Sequence, residues 1–180
     1  MGKKKISLTL SAKSIDAAVK ELEQYKTWLA RKTEQLVREL AEVGIPVIDA
    51  NMAKASYTYD GENVRSGSDT NHYTHVKMQT FGDYSKATLI LEGREVMFIE
   101  FGAGVYYNGA AGSSPHPLGN VNGMVIGSYG AHHGVQKIWG YYSETGELVL
   151  THGVAAQMPM YKADMEILQR YVDVARKVFS

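Results

Sequence analysis

One long run of periodic apolar residues constrains the fold more than any other feature of this sequence. Between Ser14 and Gly44, apolar side chains recur at steps of three, four or seven residues: Ile15, Val19, Leu22, Leu29, Leu36, Leu40 and Val43. That spacing places them on one face of an α-helix. Ser14 suits the N-cap, and Gly44 followed by Pro46 suits the helix end. We therefore predict a helix over residues 14–43, about 43 Å long and longer than one core of this size requires.

A second helix is predicted over residues 159–179. Pro159 suits its first turn. Two neighbouring apolar stripes follow, one of Tyr161, Met165, Leu168, Val172, Ala175 and Phe179, the other of Ile167, Tyr171, Val174 and Val178. A doubled stripe is wide and is typical of a helix that packs on a sheet.

Alternating residues between the two helices predict two β-hairpins. Residues 73–80 and 84–92 are separated by a Gly-Asp turn, and residues 138–143 and 147–151 flank Glu-Thr-Gly. The predicted fold class is α+β, with a long N-terminal helix and a C-terminal helix packed on a small antiparallel sheet.

Three shorter stretches between the predicted elements carry weaker signals. Residues 46–54 favour a second short helix because proline suits a first helical turn. Residues 60–71 are polar and rich in turn-forming residues, so we predict a loop. Residues 96–101 form an apolar run that fits either a strand or a helix.

A glycine-rich insertion occupies residues 101–136. It holds nine of the eighteen glycines and no Asp, Glu, Lys or Arg, together with several tyrosines. A flexible linker is polar, whereas this segment is uncharged and partly apolar. We interpret it as an assembly loop in a single domain of residues 1–180, with residues 1–13 as an N-terminal arm. The alternative is a mobile hairpin insertion.

Composition excludes several classes of function. The absence of cysteine removes disulfides, thiolate metal sites and cysteine nucleophiles. Nineteen basic and nineteen acidic residues cancel, which argues against a surface devoted to nucleic acid or anionic lipid. No apolar stretch approaches the length of about 18 residues that a membrane-spanning helix needs, so we expect no membrane partner.

No reactive site is indicated by the known motifs. None of the six histidines has the spacing of a metal-ligand pair. Tyr107 stands where a dinucleotide-binding glycine motif needs glycine, and no hydrolase Gly-x-Ser-x-Gly occurs. We expect no catalytic residue, metal or cofactor. A metal site gathered in space from His132, His152 and Glu100 is the alternative, and a small metal-dependent hydrolase that uses loop histidines is the function it would suit.

Two short motifs carry a resemblance to a known family. Residues 98–104, Phe-Ile-Glu-Phe-Gly-Ala-Gly, resemble a Glu-Phe-Gly-Thr-Gly element of the gene-10-like neck and tail components of lambdoid siphophages. Residues 153–163, with Pro159-Met160 at their centre, resemble the family's second element, which begins the C-terminal helix. Ala103 replaces the usual Thr and Met160 the usual Phe. The order of elements also matches over roughly residues 14–179.

The resemblance implies a structural virion protein of a tailed phage or prophage. Such a protein acts in head–tail joining or tail completion, without catalysis, as a subunit of a ring in the neck or tail. Implied partners are copies of itself in a six-fold ring and other neck, tail-terminator or tail-tube proteins, with DNA only passing through. The implied location is the virion, and the host cytoplasm during assembly. A host-directed binding module is the other alternative.

Ten residues are expected to form the family motif and the subunit interface. They are Glu100, Phe101, Gly102, Gly104, Tyr106, Tyr107, Gly153, Pro159, Met160 and Trp28. Trp28 is included because it falls off the apolar stripe of the first helix, and tryptophan is enriched at interface hot spots. A simpler interpretation is structural: Glu100 caps a helix or forms a salt bridge, and the glycines supply positive φ angles at a turn.

Overall fold

A computed structural model describes residues 11–59, 63–66, 71–82, 84–93, 95–102, 115–119, 139–142, 145–151 and 154–180. The predicted α+β class is confirmed. Along the chain the elements are α1 (Ala12–Met52), β1 (Ser56–Tyr59), β2 (Asn63–Ser66), β3 (His72–Phe81), β4 (Tyr84–Gly93), α2 (Val96–Phe101), β5 (Trp139–Tyr142), β6 (Leu148–Thr151) and α3 (Pro159–Phe179). In these ranges the strands pair as three antiparallel hairpins, β1–β2, β3–β4 and β5–β6.

Helix α1 continues past its predicted end. It runs through Gly44 and Pro46 to Met52, so the predicted stop and the separate helix over 46–54 were wrong. Gly44 serves close packing instead of ending the helix, because a Cβ there would lie 2.4 Å from Leu89 Cδ2. Pro46 lies on the exposed side, where water replaces a lost backbone hydrogen bond at least cost.

The start of α1 also differs from the prediction by one turn. The N-cap is Ser11, whose Oγ accepts a hydrogen bond from the Ser14 backbone N–H at 3.3 Å. Ser14 therefore lies inside the first turn. Serine suits either position, because its hydroxyl replaces a missing helical acceptor wherever the chain turns in.

The hairpin β3–β4 packs against the C-terminal half of α1. Its register pairs Val76 with Leu89 and Thr74 with Leu91, so the apolar residues of the two strands share one face as predicted. Thr74 Oγ1 donates a hydrogen bond to Asp49 Oδ1 at 3.0 Å, which links the same face to α1. The predicted hairpin is confirmed.

Two of the weaker sequence signals are now settled. Residues 60–71 were predicted as a loop, but Asn63–Ser66 forms β2 and pairs with β1, so that part of the prediction was wrong. Asn63–Ser66 contains one strong strand former, Val64, so its own composition gives only a weak strand signal. The ambiguous run over 96–101 is a helix, α2. The predicted hairpin near residues 138–151 is confirmed as β5–β6.

Helix α3 confirms its predicted bounds and lies antiparallel to the C-terminal half of α1. Near its start, Lys162 Nζ donates to Asn51 Oδ1 at 3.0 Å. At its end, Phe179 meets Trp28 with ring centroids 6.1 Å apart. Midway, Ile167 Cδ1 would lie 3.3 Å from a Cβ at Gly44. The glycine thus lets α3 and the β3–β4 hairpin approach α1 at the same point.

The buried core lies at one end of the molecule, where α1, α2 and α3 meet. It is formed by Ile48, Met52, Ala55, Val96, Ile99 and Ala163. Leu89, Leu91, Val154 and Met160 pack around it. Among the described residues, no helix carries an apolar stretch long enough to cross a membrane.

The N-terminal part of α1 extends beyond this core. Because α3 ends beside Trp28, residues 12–27 continue for about 24 Å past it at 1.5 Å per residue. We call residues 12–27 the α1 overhang. Most of its side chains are exposed, and Ala18 is the buried exception among its apolar residues.

Candidate functional site

The two sequence motifs meet in space around a buried carboxylate. Glu100, in α2, has 5% of its surface exposed. Its Oε2 accepts a hydrogen bond from the Met160 backbone N–H at 2.8 Å, and its Oε1 accepts one from the Tyr161 N–H at 3.0 Å. The acidic residue of the first motif therefore caps α3, the helix that the second motif begins.

Helix α3 needs this cap because its own N-cap residue cannot supply one. Met158 occupies that position with a left-handed backbone, φ 54°, and makes no capping hydrogen bond with its side chain. The first amides of a helix lack partners within the helix and attract negative charge. Glu100, which lies in α2, supplies both the hydrogen-bond acceptors and the negative charge. A second link, from Gln157 N–H to the Ile99 carbonyl oxygen at 2.8 Å, holds the two segments together.

His116 completes the junction from within the glycine-rich segment. Its side chain is 3% exposed, and its Nε2 lies 2.9 Å from Glu100 Oε1. Its Nδ1 accepts a hydrogen bond from the Leu118 N–H at 3.0 Å. Because Nδ1 is the acceptor, the proton of the neutral ring is on Nε2 and is donated to Glu100. The ring also packs against Phe101 and Tyr161, with centroids 4.5 Å and 5.3 Å away.

The sequence interpretation missed this role of His116. No role was predicted for this histidine. The available signal was local: Pro115 and Pro117 restrict the backbone on either side, which favours a fixed conformation over a mobile one. Its partner is sixteen residues away in sequence, and no periodic pattern connects them.

The chemistry of the junction is that of a saturated hydrogen-bond centre. Glu100 accepts from three donors, and both ring nitrogens of His116 are engaged. A carboxylate and an imidazole also form the basic part of catalytic triads, but there one ring nitrogen faces the reacting group. Here that nitrogen accepts a backbone N–H. The arrangement orders the backbone and leaves the imidazole without a nitrogen for a substrate.

Burial and a neighbouring charge shift the pKa of one carboxyl group near the junction. The pKa of Asp164, in the second turn of α3, is raised first by burial and then by repulsion from Glu100. At the other end of α3, Lys32 Nζ donates a hydrogen bond to the Val178 carbonyl oxygen. Helix α3 thus has an anion at its N-terminus and a cation at its C-terminus, the signs that its dipole favours.

An ion pair also joins α1 and α3. Lys177 Nζ lies 3.1 Å from Glu39 Oε2. The pKa of Glu39 is lowered by hydrogen bonds from Gln35 and then from Lys177. Exposed pairs of this kind contribute little stability, so the main α1–α3 contact is the apolar one at Gly44.

Five of the ten predicted residues come together at the junction: Glu100, Phe101, Gly102, Pro159 and Met160. Gly102 has a φ of 78°, the positive value expected for a glycine at this turn. Trp28 lies at the opposite end of α3, partly buried, stacked on Tyr25 at 5.6 Å and in edge contact with Phe179. It therefore belongs to the α1–α3 contact. The remaining four, Gly104, Tyr106, Tyr107 and Gly153, lie outside the described residues.

The alternative metal site receives no geometric support from the described part of the chain. There, no three His, Asp or Glu side chains lie close enough together to hold a metal ion. Glu100 already accepts backbone hydrogen bonds from α3. His132 and His152, its proposed partners, lie outside the described residues.

Comparison of the chain with protein-family models, with curated proteins and with solved structures found no match. The function is therefore inferred from the geometry of the junction, from the shape of α1 and from the motif resemblance.

Proposed function

We propose that this protein is a structural virion component of a tailed phage or prophage, acting in head–tail joining or tail completion as a ring subunit of the neck or tail. The observation that carries the proposal is the contact between the two motifs. Glu100 of the first motif binds the Met160 and Tyr161 amides of the second. Each motif alone is a short resemblance. Together they support the family assignment more strongly, because their residues are in contact although they lie far apart in the sequence.

The contacts at this joint favour a structural role over a catalytic one. Glu100, Gly102 and Pro159 respectively cap a helix, turn the chain and begin a helix. Each of these residues has a folding role that accounts for its chemical type. A ring subunit needs a rigid frame and has no need of a reactive centre.

The length of α1 supports the same proposal. The overhang extends about 24 Å beyond α3, and Ile15, Val19 and Leu22 on it are about half exposed. Contiguous exposed apolar surface marks interaction sites. An isolated domain gains nothing from this surface, whereas a subunit of an assembly uses it against a neighbour. The partners we propose are copies of this chain and adjacent neck, tail-terminator or tail-tube proteins.

Two experiments test the proposal: the protein content of purified virions and the phenotype of a gene deletion. Virions purified from the induced producing strain should contain the protein by mass spectrometry, and antibody-gold labelling should place it at the neck or tail. Deleting its gene should give filled heads and separate tails, and a plasmid copy should restore joined particles. Fully infectious virions from the deletion strain, or purified virions without the protein, would overturn the proposal.

A further inference from the structure

The β3–β4 hairpin has two faces, one of which packs on α1. On this inner face, Thr74 donates a hydrogen bond to Asp49 of α1. Leu89, also on the inner face, lies where a Cβ at Gly44 would meet it. Because side chains alternate along a strand, the odd-numbered residues of β3 and the even-numbered residues of β4 point the other way. We call them the outer face: Tyr73, His75, Lys77, Gln79, Phe81, Tyr84, Lys86, Thr88, Ile90 and Glu92.

Aromatic rings lie at both ends of the outer face. At one end Tyr73 stacks on His75, with ring centroids 4.7 Å apart and an interplanar angle of 21°. At the other end, beside the turn, Phe81 stacks on Tyr84 at 4.5 Å and 20°. A cross-strand pair such as the second stabilises a hairpin, yet Tyr73, Phe81 and Tyr84 remain 63%, 43% and 54% exposed. Each ring pair therefore leaves aromatic surface open to solvent.

Two lysines lie between the ring pairs. Lys77 is two residues along β3 from His75, and Lys86 is two residues along β4 from Tyr84, about 7 Å in each case. Both lysines are exposed, and neither forms an ion pair within the described part of the chain. Among the described residues of the outer face only Glu92 is acidic, and it lies at the end of the hairpin far from the turn. The middle of the outer face is therefore positively charged, with aromatic rings on either side.

The histidine of the outer face has a ring nitrogen without a partner. His75 Nδ1 is shielded from water and forms no hydrogen bond in the described structure. A shielded polar atom of this kind costs free energy, and such atoms are rare in folded proteins. A flat ligand that takes the place of the Tyr73 ring on the imidazole would keep the stacking contact and offer Nδ1 a hydrogen-bonding edge. The unpaired nitrogen therefore indicates a ligand with a flat, polar ring.

We propose that the outer face binds a single strand of nucleic acid. Proteins that bind single strands combine aromatic side chains, on which bases stack, with basic groups that contact the phosphates. The outer face has both, with the ring pairs at its ends for bases and Lys77 and Lys86 between them for phosphates. A duplex suits the rings less, because its bases are already stacked on one another. A neutral flat ligand would use the rings but leave the two lysines without a counter-charge.

The length of the hairpin sets the size of the site. Strand β3 has 10 residues, so the outer face is about 30 Å long. That is the length of roughly nine nucleotides stacked at about 3.4 Å each, and of fewer in an extended strand. Two lysines make few phosphate contacts, so binding is weak and independent of base sequence. The inference goes beyond the proposed function and does not rest on it. The zero net charge of the whole chain concerns long-range attraction and leaves a local patch possible.

Fluorescence anisotropy tests the inference with the purified full-length protein and a labelled oligothymidylate of about twelve nucleotides, which is longer than the outer face. The wild type should bind, and log K should fall with log salt concentration with a slope of about −1.4, from about −0.7 for each of two phosphate contacts. Lys77→Gln and Lys86→Gln should each halve that slope. Absence of binding at about 0.1 mM protein, the weak limit of non-specific nucleic-acid binding, would overturn the inference.

Ring variants test the stacking. Tyr73→Ala and Tyr84→Ala should each weaken binding at least about fivefold, the lower end of the loss for one stacked base. Tyr84→Phe keeps the ring and should bind like the wild type, and circular dichroism checks that every variant is folded. Tyr171→Ala and Lys20→Gln, at exposed positions on α3 and α1, are matched controls and should not change binding. Wild-type affinity in both Tyr73→Ala and Tyr84→Ala would show that the rings hold no base and would refute the proposal.

The oligonucleotide can be varied in the same way. An abasic strand of the same length keeps the phosphates and lacks the bases, so it should bind at least about fivefold more weakly. A duplex of the same length should also bind more weakly than the single strand. If either binds as tightly as the oligothymidylate, stacking on the rings plays no part and the inference is wrong. None of these results alters the proposed function, which is tested by the content of purified virions.

Discussion

Replacing Glu100 with glutamine is the sharpest test of the junction. Glutamine keeps the size and one acceptor oxygen but puts an NH₂ group where the second oxygen lay. If its carbonyl takes the Oε1 position, it keeps the bonds from His116 and Tyr161. The amide nitrogen then faces the Met160 N–H, which is a donor against a donor.

The expected loss of stability follows from two contributions. An unpaired buried donor costs about 1–3 kcal/mol, and removing a negative charge from a partly buried helix N-terminus costs about 0.3–2 kcal/mol. We expect Glu100→Gln to lower the free energy of unfolding by about 2–4 kcal/mol. For a chain of this size that corresponds to a drop in Tm of about 5–15 °C.

Urea denaturation and hydrogen exchange together measure the effect and its place. The Met160 and Tyr161 amides should exchange faster in Glu100→Gln, while amides in the middle of α3 change less. Glu42→Gln, on the exposed side of α1, is the matched control and should stay within about 0.5 kcal/mol of the wild type. If Glu100→Gln is as mild as this control, Glu100 does not cap α3 and the reasoning fails.

Two further predictions concern α1 and the electrostatics of α3. Gly44→Ala should lower stability by about 1 kcal/mol, because overpacking of about 1–3 kcal/mol exceeds the gain in helix propensity of about 1 kcal/mol. Gly82→Ala, where a Cβ meets nothing within 4 Å, should be nearly neutral, and a raised Tm for Gly44→Ala would contradict the close packing. Asp164→Asn should stabilise the fold near pH 7, because the raised pKa of Asp164 means that the folded state resists ionisation that the unfolded chain undergoes above its ordinary pKa of 3.8. That gain should disappear below pH 3.8, and thermal melts that show the same gain at pH 3 and pH 7 would exclude this cause.

The elements that were predictable are those whose signals are local. The bounds of α3 follow from Pro159 and a 3.6-residue period, and the β3–β4 hairpin follows from alternation around a Gly-Asp turn. The end of α1 was not predictable in the same way. Gly44 and Pro46 are strong local stop signals, and the packing of Leu89 and Ile167 on Gly44 overrides them.

The junction was only half predictable for a related reason. A capping or salt-bridging role for Glu100 was one of the interpretations of the motif, but its partners lie sixteen and about sixty residues away. Hydrogen bonds between distant segments leave no periodic trace in a sequence. The assembly role of residues 101–136 stays a prediction, with one restriction: residues 115–119 within it are described, and His116 is buried on the body. A deletion that tests the loop should therefore spare them.

The close approach of α3 and the β3–β4 hairpin to α1 at Gly44 has a consequence for biosynthesis. A ribosome completes α1 and then needs to add roughly 120 further residues before Ile167 exists, which at 5–20 residues per second takes about 6–24 s. During that time the nascent helix displays an apolar strip from the overhang to Leu40 with no α3 to cover it. The charged side chains on its other faces are hydrated, but because their signs balance they give little protection against association with other unfinished chains. Translation speed across this interval, and the chaperones that meet the chain there, should govern the yield of soluble protein.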